Sequence, residues 1–175
     1  MITLADVTAA RQFGLVPTPV AADPIADTLA RLIDRSLMLT EVDRYAPPEP
    51  NPTAIDMEFA AVRMRFASQT AFDLALATVG MDEKYLRETL RQNLRIREYI
   101  EQRFTVPPPD DEELTTYYRA HLPTFTRDGQ PLPLDYVRAQ LVAAVVADRR
   151  DALVSTWVAG LRLRAEITNL YLTSK

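Results

Sequence analysis

Few residues in this chain are of a type that does chemistry. It carries one imidazole, His121, and no thiol. A lone histidine can act as a general base. A metal site or relay built on histidines has no second one to use. His121 falls at the end of a short helical pattern, where the helix dipole favours a cation, and the structural reading is preferred. Asp110-Asp111-Glu112-Glu113 is either a set of metal carboxylates or a helix N-terminus rich in capping acids, and capping explains it more simply. Arg87, Arg91 and Arg95 stand at i, i+4, i+8. They form either an anion-binding stripe or, the preferred reading, a solvated face neutralised by neighbouring glutamates. Without cysteine there is no disulfide, thiol nucleophile or Cys-based zinc site. No catalytic residue, metal ligand or cofactor is therefore assigned.

The elements that position these residues read as helices. Thr3 and Asp6 open a capping signature, Leu4, Val7, Ala10 and Phe13 follow at helical spacing, and Gly14 is a stop. Pro17 and Pro19 make an extended linker. Asp23-Pro24 is an N-cap followed by proline at the first helical position. The helix it starts, to about Tyr45, has Ile25, Leu29, Leu32, Ile33, Leu37, Met38, Leu39 and Val42 on more than one face, which places it in the middle of a domain. Pro47, Pro48, Pro50 and Pro52 end it. Thr53 and Asp56 read as the next capping pair, for a helix from about Ala54 to Phe66.

That helix shows two apolar stripes. Ile55, Phe59, Val62 and Phe66 make one, and Met57, Ala61 and Met64 the other. Ser68 starts a short helix with Phe72, Leu76 and Val79, closed by Gly80. Asp82 caps a long helix whose inward stripe reads Leu86, Leu90, Leu94 (or Asn93), Arg97, Ile100 and Phe104. Its other side is laced with Glu83–Arg87, Lys84–Glu88 and Arg97–Glu101 pairs. Pro107-Pro108-Pro109 separates it from a short helix with Leu114, Tyr117, Tyr118 and Leu122. Asp128-Gly129 signals a turn. From Pro133 a helical pattern runs to about Asn169 in two apolar halves, with Asp148-Arg149-Arg150-Asp151 as a polar waist. No strand pattern is comparably strong; the best is Met1–Thr3 against Asn169–Leu172. There is no internal repeat. The fold class expected is all-α, about six or seven helices with a long C-terminal helix.

Composition limits the function classes. A length of 175 residues with 47% hydrophobic and 25% charged content suits one packed domain, and 4 glycines favour helix over sheet. A formal charge of −4, with no dominant basic face, gives no footprint for nucleic acid. No run approaches the ~20 apolar residues of a membrane helix, so stable membrane insertion is not expected. Met1 leads straight into Ile2-Thr3-Leu4-Ala5-Asp6, without a secretory leader pattern, although an exported protein stripped of its leader reads the same.

A family resemblance covers most of the chain. Leu32-Ile33-Asp34-Arg35-Ser36-Leu37-Met38-Leu39 resembles the LIDxxLLLQEA helix in the N-terminal region of SurA-type periplasmic chaperones and related foldases. The likeness continues through Phe66 and Phe72 to Gly80-Met81-Asp82-Glu83. It runs on through Leu86-Arg87-Glu88-Thr89-Leu90-Arg91 and Ile96-Arg97-Glu98-Tyr99-Ile100. It ends at Asp111-Glu112-Glu113-Leu114, Tyr117-Tyr118, His121-Leu122-Pro123 and Phe125. Met1 to Val7 resembles the family's opening strand and helix, and Trp157-Val158-Ala159-Gly160-Leu161-Arg162 its core-completing C-terminal helix. The order and spacing of these pieces carry the likeness, since each alone is a helix pattern. One departure stands out. A parvulin prolyl-isomerase domain normally follows the Tyr-Tyr…Phe segment, and here only Thr126 to Pro133 separates Phe125 from the last helix. Parvulin sites resemble a His pair beside Cys or Asp, which this chain lacks.

The resemblance implies a SurA-like chaperone core without the isomerase, as a single domain over residues 1–175. Within it, 1–22 would be N-terminal helix and linker, 23–125 the helical core and 126–175 a hinge and C-terminal helix. It implies ATP-independent holding of non-native or extended polypeptides, without catalysis. The clients would be exported or outer-membrane proteins and the place the periplasm or cell envelope. A second apolar face on one helix must pack on something. Methionine adapts to varied partners, so Met57, Met64, Phe66 and Phe72 are the peptide-binding candidates. The competing reading of the Met57–Ala61–Met64 stripe is burial beneath another helix, such as the last one. The rival function is a structural or adaptor protein with a dedicated partner, or a homodimer formed by exchange of the C-terminal helix.

Overall fold

The computed structural model describes residues 1–17, 22–168 and 170. Among the described residues are seven α-helices: α1 (Leu4–Phe13), α2 (Pro24–Tyr45), α3 (Pro52–Arg63), α4 (Gln69–Thr78), α5 (Glu83–Arg103), α6 (Asp111–Ala120) and α7 (Leu134–Arg164). The all-α expectation holds. Pro19, and the Asn169–Leu172 segment expected to pair with Met1–Thr3, lie outside the described residues apart from Leu170.

The helix starts follow local chemistry. Thr3 and Asp6 form the reciprocal capping box of α1, and the Asp23 carboxylate accepts from the Ile25 and Ala26 amides ahead of α2. Ser68 caps α4, and the Asp82 carboxylate takes the Tyr85 amide at the head of α5. One start is corrected. The cap of α3 is Asn51, whose side chain takes the Thr53 amide, with Pro52 as the first helical residue. Asn-Pro is a stronger start than the Thr53/Asp56 pair two residues on, because proline has no amide to satisfy. At the end of α1, Gly14 is required twice over. Its φ is +65°, and a Cβ there would lie 1.9 Å from Arg65 Nη1, which donates to the Phe13 carbonyl.

The chain divides into two compact units. Unit 1 comprises Met1–Ile100 and Val158–Lys175, and unit 2 comprises Glu101–Trp157. Helix α7 thus begins in one unit and ends in the other.

In unit 1, α1 packs on α2, and Phe13, Phe59, Val62, Phe72, Leu76, Leu86 and Leu90 form the core. Helix α2 is half-buried along most of its faces, as its spread of apolar residues predicts, but only Thr28 and Val42 are fully enclosed. The buried side of α5 is Leu86, Leu90, Leu94, Arg95, Ile96 and Tyr99. Arg97, expected inward, is exposed and pairs with Glu58. Its guanidinium stays in water beside the Glu58 carboxylate, while Ile96 and Tyr99 take buried places on α5. The last turns of α7 join unit 1 through buried Leu161 and through Arg162, which pairs with Asp34 and donates to the Ala30 carbonyl.

In unit 2, Leu114, Phe125, Val137, Leu141 and Val145 form a separate core. Between α6 and α7 stand a 3-10 turn (Leu122–Phe125) and a two-residue-per-strand hairpin, β1 (Thr126–Arg127) and β2 (Gln130–Pro131). The hairpin was not expected, although its turn was. Asp128 and Gly129 have φ of +53° and +77°, the left-handed pair that a tight hairpin turn needs. Helix α7 ends at Arg164, short of the expected Asn169.

Candidate functional site

Helix α3 has apolar residues on two sides, and only one side is used. Phe59 and Val62 are buried in unit 1. Opposite them, Met57 is 69% exposed and Met64 81% exposed, with Ala60 and Ala61 also open between them. Burial beneath another helix, the competing reading of this stripe, is not what the structure contains. The sequence reading missed Ala60. Its signal was its position three residues beyond Met57, which completes an i, i+3, i+4, i+7 set.

Two of the four peptide-binding candidates lie in or against the core of unit 1. Phe72 is 0% exposed, edge-on to Phe13, Phe59 and Phe66 at ring-centroid distances of 6.1, 5.7 and 5.4 Å. Phe66 is half-buried against the same core, past the end of α3. Four aromatic rings that meet edge to face gain more from one another than from an open surface. Met57 and Met64 are therefore brought together, and Phe66 and Phe72 belong to the packing beneath them. Leu74 on α4, absent from the candidates, is 68% exposed.

The arginine stripe is neutralised, but mostly from other elements. Arg87 pairs with Asp56 on α3 and lies 4.1 Å over the Phe59 ring. Arg91 pairs with Glu49 in the proline segment and with Glu88. Arg95, 8% exposed, pairs with Asp43 on α2 at 2.7 Å, and its Nε lies 3.5 Å from Glu49. These pairs replace the Glu83–Arg87 and Lys84–Glu88 ladder expected along α5. Cross-helix carboxylates win because they also fix α2, the proline segment and α3 on α5. Arg35 adds a further clamp. Its Nε donates to Asn93 Oδ1 at 2.6 Å and its Nη2 to the Thr89 carbonyl and Gln92 Oε1. Burial lowers the pKa of this guanidinium.

Glu88 titrates below the usual carboxylate range, chiefly because Arg91 hydrogen-bonds it, with Gln92 assisting. A depressed carboxylate stabilises the fold above its unfolded-state pKa, about 4.3 for glutamate, and loses that contribution as pH falls through the lower folded value. The melting temperature of Glu88→Gln should therefore fall less than the wild type's between about pH 5 and pH 3. Equal slopes in a circular-dichroism melt series would remove Glu88 from the account. Glu88 is partly exposed, so the difference is small.

In unit 2 the acidic run caps and clamps. Asp110 and Glu113 form the capping box of α6, Asp111 pairs with Arg138, and Glu113 pairs with Arg149. The polar waist of α7 is their counterpart. Asp148 accepts from the Tyr117 hydroxyl at 2.9 Å, which raises the tyrosine pKa. Arg149 donates to the Pro107 carbonyl and Arg150 to that of Phe104. His121 is the C-cap of α6. Its ring stacks on Tyr117 at 4.0 Å, and Nδ1 lies 2.9 Å from the Tyr117 carbonyl. An open groove of about 470 Å³ here is lined by Glu112, Thr116, Tyr117, His121, Val145 and Arg149. Tyr117 there is held by Asp148, Thr116 by the Glu112 carbonyl, and Arg149 by Glu113 and the Pro107 carbonyl.

Among the described residues, no helix is long and apolar enough to cross a membrane. Comparison of the chain with protein-family models, with curated proteins and with solved structures finds no match.

Proposed function

We propose that this chain holds non-native or exported polypeptides on exposed apolar surface, without ATP and without catalysing a reaction. One observation carries the reading: the outer face of α3 presents Met57 and Met64 to solvent while the inner face already satisfies the core. Methionine side chains are flexible and polarizable, so such a face accepts varied partners. The resemblance to SurA-type chaperones supports the same reading. It suggests the periplasm or cell envelope as the place and outer-membrane proteins among the clients.

The double variant Met57→Glu/Met64→Glu tests it. Both positions are exposed, so the variant should fold normally and lose most of its ability to suppress aggregation of a reporter protein. A variant that suppresses as well as wild type would remove this face from the function. A prolyl-isomerisation assay on the wild type should give no turnover.

A second reading is an adaptor or self-dimer formed by exchange of the α7 end. It draws on the Leu161 and Arg162 contacts, which a second copy could supply equally well. Sedimentation of the same samples separates the two. A concentration-dependent dimer without aggregation suppression favours exchange, and a monomer that suppresses favours holding.

A further inference from the structure

We infer that Met57, Ala60, Ala61 and Met64 form a receptor for one side chain at a time: a shallow bowl that takes a single Leu-, Ile- or Phe-sized group from an extended polypeptide segment. The inference rests on the polypeptide-holding reading above and names what is gripped. Residues at i, i+3, i+4 and i+7 are the four that enclose a hole on a helix surface, as in the knobs-into-holes packing of coiled coils. Here the order is large, small, small, large. By this spacing the two exposed alanine methyls would form the floor, and two thioether chains, 69% and 81% exposed, the walls. From Met57 to Met64 the bowl is about 10 Å long.

The bowl is solitary, and that selects its occupant. Helix α3 starts at Pro52 and ends at Arg63, with Met64 as its cap. One step earlier on the same face stand Thr53, which is polar, and Ala54, which is half-buried; the next step, Ala67 and Ser68, lies beyond the helix. A partner helix gains affinity by seating knobs in successive holes over several heptads, and α3 offers one. A second copy of the chain needs a stable interface of about 20–30 residues a side, of which this stripe supplies four. An extended segment suits it. Its same-face neighbours fall about 6.6 Å either side of the seated group, close to the rims about 5 Å from the centre. Methionine walls can bend to admit them. The acids beside Met57, Asp56 and Glu58, are already paired with Arg87 and Arg97. Neither is left unpaired against an apolar occupant.

The experiment uses the full chain with methyl-labelled methionine and two probe peptides: a Gly-Ser peptide with one central Leu, and the same peptide with Ser there. The Leu peptide should shift the Met57 and Met64 methyl resonances, and the Ser peptide should not. Ala61→Leu and, separately, Ala60→Leu fill the floor while adding apolar area, at exposed positions where leucine is a good helix former. Each should weaken the Leu peptide by about tenfold or more. If the filled variants bind as well as wild type or better, apolar area rather than the bowl is what binds. The inference then falls while aggregation suppression by the wild type still stands. Methyl shifts that track protein concentration without peptide would mean a second copy covers the face, which also overturns it. A wild type that neither binds peptide nor suppresses aggregation sinks the inference and the wider reading together.

Discussion

Phe72→Ala should cost about 3–5 kcal/mol of stability and lower Tm on the order of 10 °C. The ring is fully enclosed in unit 1, with Phe13, Phe59 and Phe66 around it. Removing it deletes one of the largest buried side chains and leaves a cavity walled by rings that are fixed on three different segments and cannot all close on it. The edge-to-face contacts go with it, at about 0.5–1.5 kcal/mol each. Denaturation followed by circular dichroism measures the loss. A cost below about 1 kcal/mol would mean that Phe72 is not core and would restore it as a client-facing residue. Met57→Glu/Met64→Glu supplies the contrast, with stability expected to change by about 0.5 kcal/mol or less at each exposed site.

Leu141→Ala is the counterpart in unit 2, with an expected cost of about 2–5 kcal/mol. Leu141 is 0% exposed and packs in the cluster of Leu114, Phe125, Val137 and Val145. The chain's single tryptophan makes the effect separable. Trp157 lies 5.4 Å from Phe104, and both belong to unit 2. Its fluorescence should therefore follow that unit, while far-ultraviolet circular dichroism follows all the helices. Leu141→Ala should move the fluorescence midpoint further than Phe72→Ala does. Equal displacement by both variants would show that the units unfold in one transition.

Helix starts were legible where a side chain and a backbone amide settle the matter within four residues, as at Thr3, Asp23, Ser68, Asp82 and Asp110. Asn51 was overlooked because the stronger-looking Thr-x-x-Asp pattern lies two residues on, inside the helix. The hairpin at Asp128-Gly129 was missed because two residues per strand leave no alternation to detect. The Asp148–Asp151 waist of α7 was visible, but its meaning depends on Tyr117, Glu113 and Phe104, which are remote in sequence, and α7 passes from one unit to the other only later, between Trp157 and Val158. The candidate site was half legible. Periodicity finds an apolar stripe, yet it says nothing of which stripe the rest of the chain covers. That is why Met57 and Met64 proved open and Phe72 enclosed. The cross-helix partners of Arg87, Arg91 and Arg95 lay beyond reach for the same reason.

The placement of residues 158–164 has a consequence for biosynthesis. The segment of α7 that joins unit 1 is translated only after unit 2, since Leu161 and Arg162 belong with residues that precede residue 101. At about 5–20 residues per second, the intervening unit 2 delays that joining by several seconds. During the wait the nascent N-terminal helices stand without the end of α7.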